Sequence, residues 1–242
     1  MSNMARGAAL LLVFFCASAE NGQAQPAKAP VPFCEERARQ TRTLDTKGLA
    51  AVYCTSHPGV VRPLRWAHAS AYPVFYGAVP LAWGAALLRA GDDVSDAYRL
   101  TLTQGATFGL VYGLKRAVGR PRPYVHRALT ARSAHHPAAG DRFTSFPSGH
   151  AALSAALATS WSLSHPRWYV IGPGIVWATA VSLSRMHLGV HYPSDVLVGA
   201  ALGTGLAVLI HQFRNALTPD RVQANPMGTS SAPAPISVQI QF

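Results

Sequence analysis

Long uncharged runs broken by short polar joints set the pattern of this chain between residues 66 and 213. The runs are 66–88, 100–114, 143–166, 168–184 and 196–213. A membrane-crossing helix needs about 20 predominantly apolar residues, within a range of roughly 17–25. Four runs reach that length. The run 100–114 is short and carries Thr101, Thr103 and Gln104. All five are rich in Gly, Ala, Ser and Thr, the small residues that let helices approach closely in lipid, and Gly199 with Gly203 forms a GxxxG. The pattern predicts an all-α, membrane-embedded helical bundle of about five spans. The alternative is a soluble, tightly packed helical bundle.

The ends read differently. Residues 1–6 carry one positive side chain, residues 7–15 are apolar, and Ala17-Ser18-Ala19 and Gly22-Gln23-Ala24 are small-residue cleavage patterns. Residues 1–24 are therefore expected to be a signal peptide cut near Ala19 or Ala24. Residues 25–71 form an N-terminal extramembrane region: Pro26, Pro30 and Pro32 mark a linker, and residues 34–53 predict a helix with a polar face. Arg62, Arg65 and Trp66 read either as an interfacial anchor or as a basic loop. Residues 72–213 form the bundle, and the Pro/Ser/Ala/Gln-rich residues 214–242 a disordered tail.

Composition sharpens this picture. Charged residues make up 13% of the 242, about half the globular norm of roughly 25%. So little charge leaves a large apolar surface facing something other than water. The formal net charge of +11 points to an anionic partner. Among phosphate, anionic lipid and nucleic acid, nucleic acid fits least and is not expected as a partner, because the basic residues form no blocks interleaved with aromatics and no zinc-finger or ribonucleoprotein spacing occurs. The cysteines are Cys16, Cys34 and Cys54, with no CxxC. After export, Cys34 and Cys54 would be either a disulfide or two buried thiols.

Three clusters sit in the joints. Lys115, Arg116, Arg120 and Arg122 precede Pro123. Such cations bind phosphate oxygens, or they snorkel at a membrane edge. Ser148 is a good N-cap, Gly149 lets a ligand approach the backbone, and His150 could donate a proton. Arg185, His191 and Asp195 precede or open the last run, where Pro193 suits the first helical position. Asp195 lies four residues after His191, close enough to hold one imidazole nitrogen and leave the other for attack, or it simply balances the helix dipole. If successive helices alternate in direction, all three clusters meet at one end of the bundle.

In order, these residues resemble the type 2 phosphatidic acid phosphatase and vanadium haloperoxidase superfamily. Its signature is Lys-x6-Arg-Pro, then Pro-Ser-Gly-His, then Ser-Arg-x5-His-x3-Asp. Here these are Lys115 with Arg122-Pro123, Pro147-Ser148-Gly149-His150, and Ser184-Arg185 with His191 and Asp195. The resemblance covers roughly residues 72–213. It implies a phosphatase that hydrolyses a lipid phosphate monoester or lipid pyrophosphate through a phosphohistidine. In that reading His191 is the nucleophile, Asp195 orients it and His150 is the acid and then the base. Lys115, Arg122, Arg185, Ser148 and Gly149 hold the phosphate. No metal and no cofactor are required. His187 is expected to be structural rather than a zinc ligand, and Arg116, Arg120, His126, His135 and His136 receive no role beyond the pocket entrance. A soluble periplasmic acid phosphatase and a vanadate-dependent haloperoxidase remain alternatives on the same scaffold. With the signal removed, counting spans places the active site on the periplasmic side of a bacterial inner membrane. The positive-inside rule points the other way, but several of those cations are taken up by phosphate binding.

Overall fold

The computed structural model describes residues 32–35, 43–88, 94–126, 129, 132 and 141–217, and all secondary structure there is helical. The expected signal peptide, with Ala19 and Ala24, lies outside the described residues, as do His135, His136 and residues 218–242. The helices are α1 (Pro32–Glu35), α2 (Leu44–Tyr53), α3 (Pro58–Leu88), α4 (Ser95–Val118), α5 (Pro123–His126), α6 (Gly149–Ser164), α7 (Trp168–His187), α8 (Pro193–Gln212) and α9 (Arg214–Leu217).

Local chemistry explains where they begin and end. At α2 the Thr43 hydroxyl accepts from the Thr46 N–H, and the Thr46 hydroxyl accepts from the Thr43 N–H, a reciprocal cap. α4 stops at Gly119, whose φ of +59° is the left-handed conformation that favours glycine after a helix. α6 starts after Ser148, whose side chain accepts from the Ala151 N–H. α8 starts on Pro193. Pro63, Pro73 and Pro80 lie inside α3 without ending it. A proline removes one helical hydrogen bond, and membrane-embedded helices tolerate this where neighbours resupply the freed groups.

The five long helices match the five uncharged runs, with shifted ends. α3 begins eight residues before its run, so the domain boundary expected between 71 and 72 falls inside one helix. α4 extends past both ends of 100–114 into Asp96, Arg99, Lys115 and Arg116. The helix expected over 34–53 is observed only from Leu44 to Tyr53, with Cys34 in α1. The tail expected from 214 opens with one helical turn, α9. α3 and α8 are each long and apolar enough to cross a membrane by length and composition. Large apolar side chains stand on the outer surface, among them Leu197 (70% exposed), Val176 (68%) and Phe108 (61%). Exposure of that kind suits lipid better than water.

α6 and α8 meet backbone to backbone. An added Cβ on Gly199 would stand 2.5 Å from the Ser148 carbonyl oxygen, and one on Gly203 would stand 2.0 Å from that of Ala152. Positions rise together along both helices, so α6 and α8 run parallel and start at the same end. Two cores follow. One joins α3, α4, α6 and α7 through Ala67, Ala71, Leu100, Leu157, Trp177 and Val181. The other lies at the end where α6 and α8 begin. There Phe33, Leu49, Ala50 and Tyr53 of the N-terminal segment pack with Ala151, Met186, Tyr192 and Val196. Cys34 and Cys54 are disulfide-bonded and tie α1 to the end of α2. Residues 32–35 and 43–54 are thus part of the bundle's end wall.

Candidate active site

The site forms where α4 and α7 end and α6 and α8 begin. The linker 188–192 brings His191 into it, with only 2% of the residue exposed. Asp195, in the first turn of α8, is fully buried. Its Oδ2 accepts from the Tyr192 N–H (2.8 Å) and the Ser145 hydroxyl (2.5 Å), and its Oδ1 from Arg120 Nη1 (2.6 Å). His191 Nδ1 lies 3.7 Å from Asp195 Oδ2. That is ion-pair distance rather than a hydrogen bond, and Nδ1 has no hydrogen-bond partner. The expected hold of Asp195 on the imidazole is therefore present in direction but loose by most of an ångström, as is common at catalytic contacts before substrate tightens them.

Ser148 is fully buried, and its N–H donates to the Asp195 carbonyl oxygen (2.9 Å), which locks the start of α6 to the start of α8. His150 follows one residue inside α6. Its ring meets the edges of Tyr72 (centroids 5.0 Å apart) and Phe75 (5.7 Å), and its Nε2 is buried without a partner. Arg185, His191, His68 and Arg122 all act on His150 electrostatically, so both catalytic candidates share one end of the molecule.

The cations divide into two kinds. Lys115 Nζ donates to the Thr144 carbonyl oxygen (2.5 Å) and also stands beside Gly149, whose added Cβ would lie 3.9 Å from Lys115 Cε. Arg122 reaches the same loop, through Nε to the Asp141 carbonyl oxygen (2.8 Å) and Nη2 to Thr144 Oγ1 (3.3 Å). Arg185, 7% exposed, places Nη1 3.0 Å from His68 Nδ1, and its Nε is unpartnered. A guanidinium only donates, so this contact puts the His68 proton on Nε2. Among the described residues, neither Lys115 nor Arg185 has a carboxylate within salt-bridge distance. Arg120 is the other kind. It bridges Asp195 and Asp45 (Nη2 to Oδ2, 2.7 Å) and stacks over the Tyr192 ring at 4.3 Å. Arg120 therefore braces the carboxylate rather than shaping an entrance. Arg116 stacks over Tyr112 at 4.3 Å.

The electrostatics follow. Burial pushes the His191 imidazole down from 6.5 to about 3, against the opposing pull of Asp195, and Arg122, Lys115 and Arg185 push the same way. The ring is neutral at physiological pH, the form that can attack. Partial burial lowers the Arg120 pKa and its contacts with Asp45 and Asp195 more than compensate, so it is held above its ordinary value. His187 is engaged through both nitrogens, Nδ1 with the Val52 carbonyl oxygen (3.3 Å) and Nε2 with Arg132 Nη1 (3.4 Å), which docks α7 on the N-terminal segment. That agrees with a structural role.

All eight expected site residues thus lie at one end: Lys115, Arg122, Ser148, Gly149, His150, Arg185, His191 and Asp195. Asp45, His68, Tyr72, Phe75, Arg120 and Ser145 join them, and no motif spacing announces these.

A family profile described as the PAP2 superfamily matches residues 97–219, half of the chain. The chain belongs to the PAP2 superfamily. A lipid A 1-phosphatase of Rhizobium etli is 40% identical over 101 residues, which cover 40% of each chain. An undecaprenyl-diphosphatase of Sulfolobus acidocaldarius is 41% identical over 71 residues, 29% of this chain and 34% of that one. The chain therefore spans less than half the length of these curated relatives. Two crystal structures share the fold. LpxE of Aquifex aeolicus has a TM-score of 0.54 and 23% identity, covering 70% of this chain and 96% of its own. The transmembrane PAP2-type phosphatidylglycerolphosphate phosphatase of Bacillus subtilis has a TM-score of 0.57 and 20% identity, covering 89% and 98%. The fold of this PAP2 protein is a membrane-embedded helical one, found in bacterial membrane proteins.

Proposed function

We propose that this protein is a phosphatase that hydrolyses a lipid phosphate monoester or lipid pyrophosphate through a phosphohistidine at His191. One observation carries the reading: two cations with no carboxylate within salt-bridge distance among the described residues, Lys115 and Arg185, stand with Arg122 around a buried, neutral imidazole. Arg185 is buried and Lys115 half-buried, and cations withdrawn from water are expensive unless an anion joins them. The names of the relatives point to the same substrate class.

The steps follow from the groups present. His191 Nε2 attacks phosphorus, and the bond to the leaving oxygen breaks as the N–P bond forms. Asp195 stabilises the imidazolium that results. His150 gives its proton to the departing oxygen, then takes one from the water that attacks the phosphohistidine. That second attack breaks the N–P bond, releases inorganic phosphate and restores His191. Lys115, Arg122, Arg185, the Ser148 hydroxyl and the Gly149 N–H hold the phosphoryl oxygens as their charge redistributes. No relative or structural neighbour named above is an acid phosphatase or a haloperoxidase.

The test is phosphate release from phosphatidic acid, phosphatidylglycerophosphate, a polyprenyl pyrophosphate and lipid A, with EDTA present. Release from at least one is expected, and EDTA is expected to leave it unchanged because the site supplies its own cations. Release from none of the four overturns the reading. The pH dependence has a definite sign. Protonation abolishes the nucleophile, and its lowered pKa keeps it unprotonated down to acid pH. The acid limb of kcat/KM assigned to His191 is therefore expected below pH 6.5, checked by a pH–rate profile.

For orientation we favour a bacterial inner membrane with the site facing the periplasm. The Cys34–Cys54 disulfide supports this, because disulfides persist in oxidising compartments and this one lies in the segment that walls the site. A reporter fused after Phe242 tests it. Alkaline phosphatase activity from that fusion would reverse the orientation.

A further inference from the structure

The N-terminal segment does more than cover the site's end. Asp45 sits in the first turn of α2 and reaches across 149 positions to α8. Its Oδ1 accepts from the Ser194 N–H (2.9 Å), and its Oδ2 accepts from the Ser194 hydroxyl (2.6 Å) and from Arg120 Nη2 (2.7 Å). The other arm of that guanidinium, Nη1, donates to Asp195 Oδ1 (2.6 Å) and to Ser194 Oγ (2.7 Å). One planar fork thus spans two carboxylates, one on α2 and one behind His191. Partial burial raises the Asp45 pKa, and the hydrogen bonds from Ser194 and Arg120 outweigh it, so the carboxyl stays below its ordinary range and ionised.

The geometry leaves α2 little freedom to move. An added Cβ on Gly48, one turn after Asp45, would stand 2.8 Å from Pro193 Cγ, so α2 rests directly on the first turn of α8. Tyr53 presses on Gly189, where an added Cβ would lie 3.0 Å from Tyr53 Cε2 and the backbone φ is +72°. Cys54, next in the chain, is bonded to Cys34. The segment is pinned at both ends of α2, with Asp45 aimed at the brace of the site carboxylate.

From this we infer that Asp45 is a positioning residue for the reaction. It fixes Arg120 and Ser194, and through them the Asp195 carboxylate that must close on His191 Nδ1. The inference rests on the phosphohistidine reading above. Asp195 has four claimants on two oxygens: Arg120, Ser145, the Tyr192 N–H and His191. Where the fork of Arg120 stands therefore decides which lone pairs are turned toward the imidazole. A bare helix cap would need only the Ser194 contact. The guanidinium shared with Asp195 is what a cap does not explain.

The experiment uses the full chain in detergent and the one of the four lipids above that the wild type hydrolyses fastest. Asp45→Asn keeps an oxygen for the Ser194 N–H and removes the charge. It is expected to lower kcat on the order of 10- to 100-fold, with KM within about twofold of wild type. Asp45→Asn combined with Arg120→Gln is expected to lose little beyond Arg120→Gln alone, because the two act as one unit. Arg120→Lys keeps the charge and loses the fork, so it too should lower kcat at unchanged KM. That arm stands if Asp45→Asn does not purify folded. Wild-type kcat in Asp45→Asn or in Arg120→Lys, or losses that multiply in the double variant, overturns the inference. If the wild type hydrolyses none of the lipids, the functional reading has failed. If the wild type is active, His191→Ala is inactive and Asp45→Asn matches wild type, only the role of Asp45 has failed.

Discussion

His191→Ala is expected to lower kcat for lipid phosphate hydrolysis on the order of 10⁴-fold or more, while inorganic phosphate still binds. The expectation follows from the separation of jobs within the site. The groups proposed to hold phosphoryl oxygens are Lys115, Arg122, Arg185, Ser148 and Gly149, and their contacts do not pass through the imidazole. Lys115 and Arg122 are held by Thr144, and Arg185 by His68. The Ser148 N–H is held by the Asp195 carbonyl oxygen. The His191 ring makes no hydrogen bond through Nδ1, so truncation removes chemistry with little loss of structure. The check is single-turnover kinetics together with competition by phosphate. A variant that keeps more than about a tenth of wild-type kcat would remove His191 from the mechanism.

Gly203→Ala should cost the protein its folded state far more than a single methyl normally does. The added carbon would lie 2.0 Å from the Ala152 carbonyl oxygen, 2.9 Å from its carbon and 3.0 Å from the Ala156 nitrogen. These are backbone atoms, so no rotamer relieves the contact and α6 must move off α8. Overpacking of this kind costs about 1–3 kcal/mol, occasionally more. Here it also pulls Ser148 away from Asp195, so activity should fall with stability. Gly205→Ala is the control, since nothing lies within 4 Å of its added carbon. There the substitution should be neutral or mildly stabilising, because alanine favours helix over glycine. Thermal unfolding in detergent reads the difference, and equal midpoints for the two variants would contradict the close approach of α6 and α8.

The contrast between those glycines shows what a sequence carries and what it does not. The GxxxG of Gly199 and Gly203 is visible in the chain, and its small-residue spacing correctly announces close helix packing. Nothing in the spacing says which partner it meets. The site motifs were legible for a physical reason. Their residues stand at helix ends, and Ser148, Pro193, Gly119 and Pro123 mark helix ends locally. Arg120 was not legible. It sits among Lys115, Arg116 and Arg122, and no local rule separates the cation that braces a carboxylate from its neighbours. Asp45 was hidden more deeply, because its partners Arg120 and Ser194 lie 75 and 149 positions away. α3 starts eight residues before its uncharged run because Arg62 and Arg65 end the run, whereas the helix continues through both of them. The disulfide was open because two cysteines in an exported chain pair only if the fold brings them together, and here α1 and α2 do so.

If His191 is the nucleophile, one phosphoryl group passes to His191 and then to water. The most direct measurement mixes a lipid pyrophosphate, ³²P-labelled in its terminal phosphate, with the His150→Ala variant, quenches in alkali, where a phosphohistidine survives, and locates the label by peptide mass spectrometry. His150→Ala removes the acid of the first step and the base of the second, but a departing phosphate needs no acid, so only breakdown is blocked and the intermediate should accumulate. Label is expected on the peptide that contains His191, and none when His191→Ala is added. Label on any other residue, or steady phosphate release with no labelled protein at any time, would contradict it.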